Sequence, residues 1–379
     1  MTKVNNIDLR IIFNSFGEKT IEAVINKSFP ASSSGGISKS HHEARVIMPE
    51  EAIKNFSRIK DSFIGDFSQR EFDSLLKKNI NALGSLLTTS LSLAFFSLEF
   101  QERINEIKFF PNLLINVLGG GAHSFHNKPE IQEFLVIPTE KNIFDSVDRG
   151  VEIWHSVRAE LNKKGILRGL NPECAWLSDI TNEEALEIVS KIASNYNAKI
   201  GIDFAASSIF RNGKYVYHDK KLSREEQIDY VIELARNYDL VYIEDPLEEN
   251  DFSGFKELEK KTKALICGDD IISTQIERLK RASFINAVII KPNQAGTVTE
   301  CMDIIEFSRK NRIVPIVSHR STKTCCPSEA RLALFSDMAK FSVAGIDTAR
   351  CNELIRLWMQ INNPEMRPLT FNKGEFCGR

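Results

Sequence analysis

The sequence predicts an α/β protein: a β/α (TIM-like) barrel preceded by a small α+β domain. Three observations carry that prediction. In the second half of the chain, five apolar, β-branched runs of strand length end at Asp203, at Glu244 and Asp245, at Asp269 and Asp270, at Lys291, and at Ser318, His319 and Arg320. Helix-like segments follow most of these runs, and alternating strand and helix makes a parallel sheet that commonly closes into a barrel. Residues 1–110 lack this alternation, so the expected division is 1–110 and 111–379.

Along the chain, residues 7–13 and 20–25 alternate as two strands of a hairpin or meander. A Ser/Gly-rich loop at 31–40, long enough to form a lid, comes next. Helical periodicity over 49–63 and 69–78 and an apolar helix near 83–96 complete the small domain. From Leu113 the β/α alternation begins. Capping boxes pairing Thr181 with Glu184, Ser223 with Glu226 and Thr297 with Glu300 start helices over 185–196, 228–238 and 302–310. They bracket the runs carrying Asp203, Glu244 and Asp269, which puts those acids at strand ends rather than on helix faces.

In a barrel the strand C-termini converge on one mouth, so three acids, a lysine and a histidine share one space. A single acid after a strand is more often a cap for the next helix. Three on successive strands repel one another and protonate unless a cation sits among them, and an all-oxygen set suits Mg²⁺. Lys291 follows four apolar positions, which favours the mouth over a snorkelling surface lysine. Desolvated and near a dication, its pKa is expected to fall, as a proton-abstracting base requires. His319 beside Arg320 and Ser321 reads as an anion-binding strand end. Gly119-Gly120-Gly121-Ala122-His123, followed by Gln132-Glu133-Phe134, sets a flexible loop before another acid. Glu173, in a segment with no strong secondary-structure signal, reads on its own as a solvated loop acid.

The totals exclude several function classes. A formal net charge of -2 gives no argument for nucleic acid or an anionic membrane surface. No apolar stretch approaches the length that spans a bilayer, and the N-terminal residues lack the apolar core of a signal peptide. The seven cysteines show no C-x-x-C spacing, which argues against zinc and a disulfide framework. A reduced, cytoplasmic enzyme is the expectation.

Taken together, the blocks at 119–123, 132–134, 201–206, 243–246, 268–270, 291–296 and 318–321 resemble enolase, in the family's order, over residues 7–358. The resemblance implies a modified β/α barrel behind an N-terminal α+β domain, in a cytoplasmic homo-oligomer, a dimer or a multiple of dimers. It also implies dehydration of 2-phosphoglycerate to phosphoenolpyruvate. Asp203, Glu244 and Asp269 match the ligands of the tight Mg²⁺, and Ser38 the lid-loop serine that meets a second. Lys291 matches the base at C2, and Arg320 and Ser321 the phosphate-binding pair. His319 and His123 match substrate-contacting histidines, and Glu133 an acid near the departing hydroxyl. Glu173 is the best match for the general acid.

The chain departs from the family pattern at four places. Counting back from Asn352 puts Ala339 where the family has a carboxylate-binding lysine, with Lys340 one residue on; a one-residue slip reverses a strand side chain. Pro172, Cys174, Ala175 and Trp176 stand where the family has glycines around the acid. Thr322–Cys326 replaces an acidic tail, and Lys323 there is a candidate positive charge near the substrate. Asn14-Ser15-Phe16-Gly17 lacks the arginine of the family's dimer contact. These changes spare the metal ligands and the base, so two further readings stand beside the first. One is an enolase-like paralogue acting on another phosphorylated or phosphonylated hydroxy acid; the other is a non-catalytic protein of the same fold.

Overall fold

The computed structural model describes residues 1–33, 35, 45–124, 128–368 and 371, so Ser38 lies outside the described residues. After a short strand, Thr2–Val4, that pairs with Gly65–Phe67, the N-terminal part forms a three-stranded antiparallel meander, Ile7–Phe13, Lys19–Ile25 and Phe29–Ser32. Its third strand takes up the start of the segment read as loop. The central strand buries Ile21, Ala23 and Ile25 against the helix Ile80–Arg103. Two shorter helices, Pro49–Ser57 and Gln69–Lys78, pack on that same helix. Proline at the first helical position suits the former. The latter begins with a capping box between Ser68 and Glu71.

Ile80–Arg103 overruns the expected 83–96 at its C-terminal end, while at its start Gly84, with φ +73°, kinks the chain and sets Ile80–Leu83 off as a separate turn. Contrary to expectation, it is long and apolar enough by composition to cross a bilayer, but 83% of its most apolar window is buried within the protein. It is the core helix between the meander and the barrel, which is why it is apolar on nearly every face.

Eight strands close the barrel: β1 (Asn112–Gly119), β2 (Glu133–Ile137), β3 (Lys199–Asp203), β4 (Tyr242–Glu244), β5 (Leu265–Gly268), β6 (Ala287–Ile290), β7 (Val314–Ser318) and β8 (Met338–Lys340). β8 pairs back onto β1 and completes the ring. The sheet is not all parallel, because β2 runs antiparallel to both β1 and β3. Among its described residues the β1–β2 connection carries no crossover helix, and the two antiparallel strands form a hairpin. The helices Ile143–Lys163 and Asn182–Asn195 then both lie between β2 and β3.

Two of the three expected capping boxes form, at Thr181/Glu184 and Ser223/Glu226. The third does not: Thr297 turns its hydroxyl to the Glu300 carboxylate and makes no cap bond. The first N–H groups of the helix Val298–Lys310 are met instead from the N-terminal part. Ser92 Oγ accepts from Val298 N at 2.8 Å, and Asp73 Oδ2 accepts from Thr299 N at 2.8 Å. Tertiary partners have displaced the local cap.

Period-two alternation explains what the barrel encloses. Leu114, Leu135, Ile137, Tyr242, Cys267, Ile289, Ile316 and Met338 share one buried cluster inside it. Their neighbours Leu113, Val136, Ile243, Ile266, Val288, Ile290 and Ala339 belong to the layer under the helices. Two residues further toward the mouth, the inward positions become Glu133, Glu244, Asp269, Lys291, Ser318 and Lys340. The interior is apolar below and ionic above.

Candidate active site

β2 reaches the mouth with its first residue, not its last. Because it runs antiparallel, Glu133 pairs in register with Asp203, the final residue of β3, and Asp203 pairs with Glu244, the final residue of β4. Three carboxylates are thus set side by side by backbone register alone. The Asp269 that follows β5 extends the row. Among these acids Glu244 Oε1 and Asp269 Oδ1 are buried with no hydrogen-bond partner. Buried carboxylate oxygens left over in this way fit a hard dication, so the set suits a divalent metal.

The lysines lie among the acids. Lys340 Nζ is 2.8 Å from Glu244 Oε2, 2.9 Å from Glu133 Oε2 and 3.0 Å from Asp203 Oδ2. Counting back along the sequence pointed to Ala339, but Ala339 faces the helices and Lys340 faces the mouth. Lys291 pairs with Asp269 Oδ2. Burial pulls the Lys291 ammonium down, yet the Asp269 carboxylate outweighs it and pushes the group up to about 12. That reverses the expected fall, with Asp269 the main cause and Glu244 adding to it. Burial, then Asp203, push Glu244 up to about 8, with Lys340 opposing. Burial likewise lifts Glu133 well above the usual carboxylate range despite Lys340.

A second tight group is Asp245, Asp269 and Asp270, whose nearest ligand atoms lie within 4.8 Å of one another. Asp245 accepts from Asp269 N at 2.9 Å and Asp270 N at 2.7 Å, so it braces the turn that aims Asp269.

The opposite wall holds Glu173, which is 4% exposed and not the solvated loop acid expected from its neighbours. It sits between the hairpin strands Leu167–Leu170 and Trp176–Ser178. Asn171 Oδ1 accepts from both Glu173 N and Ala175 N at 2.9 Å. Trp154 Nε1 donates to the Cys174 carbonyl at 2.8 Å, and the Trp176 ring packs tilted against Trp154, centroids 4.3 Å apart. Cys174 holds φ at +62°, a conformation glycine takes more readily. The tryptophan brace fixes a loop whose sequence has lost its glycines.

His123 Nδ1 and His319 Nε2 each lie 3.7 Å from Glu173 Oε2, and Asn116 Nδ2 donates to the same oxygen at 3.4 Å. Burial alone would raise the Glu173 carboxyl, but the two histidines hold it well below the usual range. Burial lowers His123. His123 stands on the turn after Gly120, where a Cβ would meet the Pro129 carbonyl at 2.1 Å and the Ile131 carbonyl at 2.5 Å. Here glycine is required by close backbone approach.

His319, Arg320 and Ser321 follow β7 and line the same cleft as Glu173, Asp203, Asp269, Lys291 and Lys340. Lys323 does not face it as a free positive charge: its Nζ is buried 2.6 Å from Asp347 Oδ2 and 3.2 Å from His319 Nδ1. Asp347, which also pairs with His319 Nδ1, was not singled out in the sequence. It lies past the last strand with no motif around it, and only the fold brings it under His319. The loop carrying these residues is tied to the N-terminal part. Ser15 N donates to the Lys323 carbonyl at 2.8 Å, and Gly35 bridges to Thr322.

Comparison with known proteins agrees with this architecture. The family described as "Enolase, C-terminal TIM barrel domain" matches residues 108–361. A protein named Enolase from Archaeoglobus fulgidus is 33% identical, covering 96% of this chain and 99% of its own length. Enolases from Methanosphaera stadtmanae and Haloquadratum walsbyi are each 33% identical, covering 97% and 94% of this chain and 99% of their own lengths.

Proposed function

The chain belongs to the enolase family, and from that premise we propose that it is a hydro-lyase that dehydrates 2-phosphoglycerate to phosphoenolpyruvate with Mg²⁺. The observation that carries the reading is the row of carboxylates from Asp203 to Asp269 with Lys291 paired at its end. Asp203, Glu244 and Asp269 would hold the metal. When bound, it supplies positive charge against the enolate that forms beside the substrate carboxylate. With Asp269 drawn to such a cation, the ion pair that keeps the Lys291 ammonium high would loosen, and that amine could take the C2 proton. Lys340 would meet the substrate carboxylate, and Arg320 with Ser321 would bind the phosphate. Glu173, with Glu133 and His123 nearby, would attend the departing hydroxyl as acid once the negative charge of the entering substrate opposes the histidines and lets its carboxyl take up a proton.

The test is direct. Purified protein with 2-phosphoglycerate and Mg²⁺ should yield phosphoenolpyruvate and, in D₂O, exchange the C2 proton; Lys291→Ala should lose both. Absence of product and of exchange at high enzyme concentration refutes the proposal. One observation favours a variant of it: the braced, glycine-poor loop around Glu173 alters the wall facing the substrate's hydroxymethyl end. Exchange without dehydration, together with turnover of another phosphorylated or phosphonylated hydroxy acid, would identify that variant.

A further inference from the structure

Behind His319 lies a buried charge network that the metal, the base and the phosphate pair do not use. Asp347 is 1% exposed and collects four donors. His319 Nδ1, Lys323 Nζ at 2.6 Å and Ser342 N at 3.1 Å meet its Oδ2, and Arg350 Nη1 meets its Oδ1 at 3.1 Å. Arg350 is fully buried and pairs in turn with Glu329. A carboxylate meeting three positive or partly positive partners and a backbone N–H is held ionised, and an ionised carboxylate only accepts hydrogen bonds. The proton on the ring nitrogen facing it must therefore sit on His319 Nδ1.

That assignment fixes the other end of the ring. Nε2 is buried, has no hydrogen-bond partner, and points at Glu173 Oε2 from 3.7 Å. The gap is too long for a hydrogen bond and is the place where a substrate oxygen can enter. The imidazole is one link of a line running from Asp347 through His319 to Glu173. Such a line is how a carboxylate fixes the tautomer and orientation of a histidine that serves acid–base chemistry.

We propose that Asp347 is a positioning residue for the leaving-group half of the site, holding His319 with its proton on Nδ1 so that Nε2 is presented to Glu173 and the departing hydroxyl. This rests on the dehydratase reading for its kinetic part. In that step the C3–O bond breaks, the oxygen takes its electron pair and one proton, and the pair left at C2 becomes the C2=C3 bond. The proton must come from the Glu173 carboxyl, which takes one up when the negatively charged substrate enters the cleft. The C2 proton, by contrast, leaves on the Lys291 side, and that half-reaction does not involve Asp347.

The two halves can be read separately. Asp347→Asn should slow phosphoenolpyruvate formation by about 100-fold, the scale of a disabled acid–base group. Exchange of the C2 proton of 2-phosphoglycerate with D₂O should stay near the wild-type rate. Asp347→Glu, which keeps the charge, should recover much of the loss. A residue with only a structural role would lower both rates together, and that outcome, or no effect on either, overturns the proposal.

A measurement that needs no turnover covers the case in which the Asn variant does not fold. In wild-type protein with ¹⁵N-labelled histidine, the His319 resonances, assigned by difference from His319→Gln, should show a proton on Nδ1. A neutral ring protonated on Nε2 would sink the idea even in a fully active enzyme. If wild-type protein neither exchanges nor dehydrates 2-phosphoglycerate, the functional reading fails. The spectrum still decides whether Asp347 sets the tautomer.

Discussion

Replacing Lys340 by Met tests the ionic layer at the barrel mouth most severely. The ammonium stands within 3.0 Å of three carboxylates, Glu133, Asp203 and Glu244, all buried. Methionine keeps most of the stem and removes the charge. The cheapest relaxation is for the acids to bind one further proton in place of the lost ammonium. A carboxyl group ionises in the unfolded chain at about 4, so holding one more of them protonated at pH 7 costs about 4 kcal/mol, at about 1.4 kcal/mol per pH unit. That agrees with the roughly 3–5 kcal/mol lost when one partner of a buried pair is removed. At pH 5 the same proton costs only about 1 kcal/mol. Urea unfolding of wild-type and Lys340→Met protein in chelator should therefore differ widely at pH 7 and little at pH 5. Saturating Mg²⁺ should shrink the pH 7 difference, since a dication neutralises the same oxygens. A deficit that is equal at both pH values, or absent at pH 7, would refute the assignment of Lys340 as the counter-charge of these acids.

Other outcomes follow from the same geometry. Glu244, raised to about 8, and Asp270, raised to about 7, bind protons in the folded chain that they have lost in the unfolded one between about pH 4 and 8. Folding is then disfavoured as pH rises across that window, so metal-free protein should lose urea resistance from pH 5 to 8. Glu173 and Asp347 are shifted downward and act oppositely: their contribution is lost only as pH falls below about 4. A metal-free stability that instead climbs steadily from pH 5 to 8 would show that the mouth acids are not desolvated. Gly120→Ala drives a methyl into the carbonyls of Pro129 and Ile131, backbone that cannot swing aside. It should cost about 1–3 kcal/mol in urea unfolding and displace Glu133. Wild-type stability would show that the turn is looser than its contacts indicate.

Much of this protein was legible before any fold was known. Apolar runs ending in Asp203, Glu244, Asp269 and Lys291 were enough to predict a barrel with an oxygen-rich, lysine-bearing mouth. The reason is that strand alternation is a local property: inward and outward residues are sorted two by two along each strand. Capping at Thr181 and Ser223 was equally local and formed as read.

What the sequence could not decide depended on contacts between distant segments. Whether position 339 or 340 faces the mouth was settled by the pairing of β8 with β7 and β1, which a count from Asn352 does not encode. Glu173 became a buried acid because two tryptophans and Asn171 pin its loop. Thr297 lost its capping role because Ser92 and Asp73 reached the helix first. Lys291 kept a high pKa because Asp269 came close enough to outweigh burial. Asp347, some 28 residues from His319 in sequence, carried no motif and acquired a role only when the loop after β8 folded beneath the histidine. Periodicity fixes which side of a strand a residue takes; only closure of the barrel decides which charges meet there, because Coulomb energies depend on distance in space and not along the chain.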